Sequence, residues 1–156
     1  MITYNYGRAS LERLATAHPD FDVIFKEVIK WVNCSIFCGH RNEADQNAAY
    51  PKFSKVKWPD SRHNSLPSMA VDAGPYFIEL RNTDWNDRLA FAQFSGRVLQ
   101  IADQLLYEGK VSHRLISGQD WDRDGRSLDH KFVDVPHYQL EKVSEEELEE
   151  IRQRLS

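Results

Sequence analysis

Cysteine is scarce in this chain. There are two, Cys34 and Cys38, too few for a disulfide framework. On a strand, four residues would separate their Cα atoms by roughly 13 Å, beyond the reach of one bridge. They read as two small buried residues, and a Cys-x-x-Cys redox enzyme is excluded. Long apolar runs are also missing: none approaches the ~18–20 residues of a membrane span. The N-terminal stretch Met1-Ile2-Thr3-Tyr4-Asn5-Tyr6-Gly7-Arg8 lacks a basic start followed by an apolar segment, so no signal peptide is expected. Basic charge is not in excess: 20 Lys and Arg stand against 24 Asp and Glu, a formal net charge of -4 with a pI near 5.9. Nucleic acid is therefore not expected as a partner, because phosphate binding needs a basic footprint. Internal repeats, low-complexity stretches and linkers rich in Gly, Ser or Pro are absent as well.

What is there is one domain, residues 1–156. The 18.2 kDa chain is 41% hydrophobic and 28% charged, with a mean hydropathy of -0.61. At this size about two-thirds of the unfolded surface is buried on folding, enough for a core without staples. Ser10 is placed to cap a short helix that buries Leu11, Leu14 and Ala15, and His18-Pro19 should end it. Asp20 is placed to cap a second helix through Lys30, with Phe21, Ile24, Phe25, Val28 and Ile29 at helical spacing. Ser35 to Cys38 reads as a strand and Asn42 to Tyr50 as a short polar helix. Lys52 to Pro67 reads as irregular and locally basic. Met69 to Ala73 is a second strand stopped by Gly74-Pro75. Thr83 or Asp84 would open the longest helix, with Leu89, Phe94, Val98, Ile101 and Leu105 on its apolar face and Gly109 at its C-terminal cap. Ser112 to Ile116 and Phe132 to Leu140 are further strands, and Ser144-Glu145-Glu146-Glu147 is a capping box opening a last helix. The sum is an α+β domain, a small antiparallel sheet with helices packed against it.

Two segments concentrate the polar chemistry: Ser61-Arg62-His63 through Asp72, and Asp134-Val135-Pro136-His137. Each supplies a histidine and a carboxylate, ligand types suited to zinc, and catalytic zinc sites use three protein ligands with a position left open. Four candidates divide as three ligands and one general base. A Ser61-His63-Asp72 hydrolytic triad also fits the composition, but no Gly-x-Ser-x-Gly elbow surrounds the serine. Read singly, His63 is equally a loop histidine and His137 a half-buried, hydrogen-bonded one.

Taken together, Ser61-Arg62-His63, Ala70-Val71-Asp72 and Asp134-Val135-Pro136-His137-Tyr138 resemble the zinc peptidases that cut peptidoglycan stem peptides. That group comprises the D-alanyl-D-alanine carboxypeptidases and dipeptidases and the phage L-alanyl-D-glutamate endopeptidases. Its pattern is Ser-x-His, a short loop, Ala-x-Asp and, much later, Glu or Asp-x-x-His. Gly39-His40-Arg41 with Gln46 resembles the group's upstream Gly-Tyr-Arg and Gln segment, and Gly118-Gln119-Asp120-Trp121 its Gly-Gly-Asp-Trp segment. The resemblance spans about residues 20 to 140 and implies a zinc site at the sheet. Carried across, the zinc ligands would be His63, Asp72 and His137. Asp134 would be the base that takes a proton from the attacking water and returns it to the leaving amine. Arg41 would steady the carbonyl oxygen as negative charge develops, and Ser61 and Gln46 would contact substrate.

Two departures stand out. The loop between His63 and Asp72 is longer than the group's and stiffened by Pro67. The base is Asp134 where many members have Glu, which resembles the phage endopeptidases and favours cleavage between L-alanine and D-glutamate over D-alanine removal. The resemblance thus implies an endolysin: a monomeric catalytic domain without a separate wall-binding domain, not membrane-inserted, held in the cytoplasm until the membrane is breached, with peptidoglycan as its partner. Asp120-Trp121-Asp122-Arg123-Asp124-Gly125 additionally fits the opening of a calcium loop, although Lys131 stands where a bidentate Glu belongs. Rival readings are a D-alanyl-D-alanine carboxypeptidase, a non-catalytic metal-binding recognition module, and a glycosidase built on a carboxylate pair.

Overall fold

A computed structural model describes residues 2–156; Met1, the first residue of the N-terminal stretch, lies outside them. The elements run α1 (Arg8–Leu14), α2 (Pro19–Trp31), β1 (Cys34–Cys38), α3 (Glu43–Ala49), β2 (Ala70–Pro75), α4 (Arg88–Tyr107), β3 (His113–Ser117), β4 (His137–Lys142) and α5 (Glu145–Leu155). The strands form one antiparallel sheet in the order β1-β2-β4-β3. This is the small α+β architecture that the alternation of helical and strand periodicities predicts. No helix is long and apolar enough to cross a membrane among the described residues.

Side chains alternate across a strand, so each strand divides its residues between two faces. Val71 and Ala73 of β2, Tyr138 and Leu140 of β4, Leu115 of β3 and Ile36 of β1 point into the core, where Phe21, Ile24, Phe25 and Val28 of α2 and Phe94, Val98 and Ala102 of α4 cover them. Asp72, His137 and Gln139 take the alternate positions and face away from that core. The sheet thus has a dry helical side and a side left for chemistry. Asp72 and His137 lie directly opposite one another on the two central strands.

Element ends differ from the sequence reading in instructive ways. Ser10 does not cap α1; Gly7 stands at the cap, and the buried Ser10 hydroxyl accepts from the Ile36 amide at 3.0 Å. Only Leu14 of the expected apolar face is buried, and Leu11 is 50% exposed. Pro19 begins α2 rather than breaking a helix, a position where its missing N–H costs nothing, while the His18 ring accepts from the Asp20 amide. Asp20 is freed for tertiary work: one carboxylate oxygen accepts from the Ser112 and His113 amides at 3.0 and 3.1 Å and lies 2.8 Å from His113 Nδ1. Asp87, not Thr83 or Asp84, caps α4. Thr83 is buried and donates to the Pro75 carbonyl, and Leu89 is 77% exposed. The expected strand from Phe132 starts only at His137, because residues 132–136 are drawn into the loop that carries Asp134. The capping box at Ser144 and Glu147 forms as expected.

Candidate active site

His63 comes from an irregular segment, yet it is tightly placed. The Ser61 hydroxyl accepts from its amide, Asn64 Oδ1 accepts from the Ser61 amide, and the Arg41 amide donates to the His63 carbonyl at 2.8 Å. Its Nδ1 lies 2.8 Å from the Gly39 carbonyl oxygen. A carbonyl only accepts, so Nδ1 carries a proton and Nε2 is the nitrogen that faces Asp72 Oδ1, at 3.1 Å. Gly39 itself is held close to the end of α1, where a Cβ would run into the Arg13 carbonyl oxygen and the Thr16 hydroxyl.

His137 has the opposite tautomer by the same logic. Its Nε2 lies 3.1 Å from Gln139 Oε1, and Gln139 is oriented by donating to Glu141 at 2.8 Å. Nδ1 therefore offers its lone pair. The His63 Nε2, the His137 Nδ1 and Asp72 Oδ1 converge, with separations of 3.1 Å from His63 to Asp72, 3.3 Å from His63 to His137 and 3.3 Å from His137 to Asp72. Ligands on bonds of ~2.0–2.1 Å at tetrahedral angles stand about 3.3 Å apart. Three acceptors at that spacing, each histidine oriented through its other nitrogen, fit a borderline divalent cation. The groups are also coupled electrostatically, and a cation at His63 Nε2 would take the place of a proton. Burial works against charge on Asp72, but His63 and His137 outweigh it and hold the carboxyl well below its usual range. Burial likewise disfavours the His63 imidazolium, yet the Asp72 carboxylate pushes it up to about 10.

Asp134 is brought beside this triad by a tight loop. Its amide donates to the Gly118 carbonyl, the Gly118 amide donates to the His137 carbonyl, and the Gln119 side chain donates to the Val135 carbonyl at 2.9 Å. Gly118 is required there, because a Cβ would strike the Asp134 carbonyl oxygen and crowd the Cβ atoms of Asp134 and His137. Asp134 Oδ2 lies 4.0 Å from His137 Nδ1. Burial, then the neighbouring Asp72 charge, raises the Asp134 carboxyl above its ordinary value. That is the direction a general base near neutrality needs.

Arg41 completes the floor, donating to Asp72 Oδ2 at 3.4 Å and to Gln46 Oε1 at 3.2 Å. Arg41, Ser61, His63, Asp72, Asp134 and His137 all line one groove of about 490 Å³, walled by Phe53, Trp85, Trp121 and Phe132. Gln46 does not reach it. The side chain is fully buried, accepts from Arg41 and Asn64, and donates to the Ser54 hydroxyl and the Val56 carbonyl. Those bonds brace Arg41 from behind the groove.

Three neighbours were given no part in this site by the sequence reading. Cys38 is half-buried, not core: a register shift after Ile36 pairs it with Asp72, and its sulfur groups with His63 and Asp72 as potential ligands. No spacing rule signals a bulge. Gln139 was detectable in principle, two residues beyond His137 on an alternating strand. Trp121 packs against the His137 ring at 5.5 Å between centroids and donates to the Phe132 carbonyl. In the acidic loop, Asp120 and Asp122 converge on His130, whereas Asp124 turns to accept from the Arg126 amide. The loop does make the sharp turn expected, with Gly125 at φ 90°.

The fold is shared with a solved structure, the crystal structure of Serratia marcescens L-Ala D-Glu endopeptidase ChiX. The likeness has a TM-score of 0.64 over 88% of this chain and 90% of that one, at 23% sequence identity. No curated protein matches the chain. The model of the phage L-alanyl-D-glutamate peptidase family matches residues 2–141, and the chain belongs to that family. The matched region ends one residue short of the end of β4, with α5 beyond it.

Proposed function

We propose that this peptidase is zinc-dependent and hydrolyses the L-alanyl–D-glutamate bond of peptidoglycan stem peptides, acting in bacterial cell-wall lysis. The observation that carries this reading is the convergence of His63, Asp72 and His137 at tetrahedral spacing beside Asp134. A zinc ion held by those three would polarise the scissile carbonyl and lower the pKa of a water toward ~7. Asp134, with its raised carboxyl, accepts the proton of the attacking water and hands it to the departing amine as the C–N bond breaks. Arg41 offers fixed positive charge for the carbonyl oxygen, and its bonds to Gln46 and Asp72 keep it from swinging away. Ser61 lines the groove with its hydroxyl already engaged by the His63 amide, so it shapes the ligand loop as well as meeting substrate. The same reading extends to calcium at Asp120, Asp122 and Asp124, whose oxygens suit it; His130, a nitrogen donor beside Asp120 and Asp122, would have to stand aside.

The test is mass spectrometry of purified muropeptides after digestion, with and without a chelator. Fragments with a new L-alanine carboxyl and a new glutamate amine are expected, and chelation abolishes them. Asp134→Ala should lose ~10²–10⁴-fold in rate while retaining zinc. Release of D-alanine alone would identify a carboxypeptidase, and new reducing sugars a glycosidase. A parent protein that binds zinc and cuts nothing would be a recognition module.

A further inference from the structure

Three cations line the groove: Arg41, Lys55 and Arg62. Two are committed. Arg41 bonds Asp72 and Gln46, and Arg62 Nη2 lies 3.5 Å from Glu141. Lys55 has no carboxylate within 4.0 Å among the described residues; its ammonium stands over the Phe132 ring, 5.9 Å from the centroid. The two residues come from different loops, so this contact joins two walls of the groove. The backbone on either side of Lys55 is fixed. Ser54 is buried and bonded to Gln46, and the Val56 carbonyl accepts from Gln46 at 2.7 Å. Gln46 thereby holds both Arg41 and the segment bearing Lys55, which fixes the backbone from which the free ammonium reaches into the groove.

A glutamate whose amine forms the scissile amide has two carboxyl groups. Whichever one continues the chain, the other remains a free carboxylate within a few bonds of the leaving nitrogen. Asp60, Asp72 and Asp134 line the same groove and repel it, so it needs a cation not already neutralised. A ring face at an exposed site is a weaker partner for an ammonium than a carboxylate. We infer that Lys55 binds the free carboxylate of the glutamate on the leaving side of the scissile bond, exchanging Phe132 for substrate. This rests on the alanyl-glutamate reading above and adds the residue that distinguishes glutamate from its neutral amide.

Two stem peptides test it, one with the free glutamate carboxylate and one with a carboxamide in its place. The wild type should favour the carboxylate in kcat/KM by about 10- to 100-fold, the range for a hydrogen bond to a charged group. Lys55→Met, which keeps the aliphatic stem, should bring that ratio close to one, and Lys55→Arg should retain most of it. An unchanged ratio in Lys55→Met overturns the assignment while leaving the peptidase reading intact. A wild type that cleaves neither peptide overturns both.

Discussion

At the scale of single residues, the site is held by side chains set behind the groove. Gln46 spends both ends of its amide on protein, so Gln46→Ala would strand donors on Arg41 and Asn64 and an acceptor on Val56. Leaving buried polar groups unpaired costs about 1–3 kcal/mol each. The expected result is lower stability in urea denaturation together with a fall in kcat of about tenfold or more, as Arg41 loses its fixed position. A residue that merely touched substrate would raise KM and leave kcat and stability in place. Much of this was legible in the chain: His63, Asp72, Asp134 and His137 are picked out by their chemistry and Arg41 by the family resemblance, and the fold gathers all five in one groove. The role of Gln46 was not legible, because a polar residue on a short helix gives no sign of its burial. The place of Cys38 depends on a bulge that leaves no mark in composition.

At the scale of elements, the ends proved harder to read than the bodies. Periodicity located α2, α4 and the strands, but the caps followed tertiary demands. Asp20 is the clearest case, turned from its own helix to tie α2 to the start of β3. Burial raises its carboxyl, but hydrogen bonds from His113 and Ser112 outweigh this and hold it below its ordinary value. A depressed carboxyl contributes stability that is complete above the unfolded value of ~3.9 and disappears as pH falls through the folded value. Asp20→Asn should therefore destabilise the protein by about 1–3 kcal/mol at pH 7, and the difference from wild type should narrow steadily below about pH 4. Urea denaturation of both proteins at pH 7 and pH 3 measures it. A gap that stays constant would mean that the ionised carboxylate contributes nothing.

At the scale of the whole molecule, the proposed zinc ligands join a loop to two central strands, so a cation bound by them should stabilise the fold. Zinc at about a hundred times its Kd adds about 2.7 kcal/mol, which for a chain of this length raises Tm by about 5–10 °C. Scanning calorimetry should show that rise on adding zinc to chelated protein and none in His63→Ala. Calcium added to the zinc-loaded protein should produce a further, separate rise with a change in Trp121 fluorescence. A calcium titration without either signal would remove that ion from the reading.

The rung that pairs Asp72 with His137 follows directly after the one that pairs Val71 with Tyr138. Because faces alternate, a one-residue slip of β4 along β2 would turn His137 toward the helices and lift Tyr138, among the largest fully buried side chains, out into the groove. Alignment of the donors and burial of that ring are thus a single event. The core acts as a proofreader: a misregistered molecule is not a slow enzyme but an unstable one, rejected by packing before any cell wall is met.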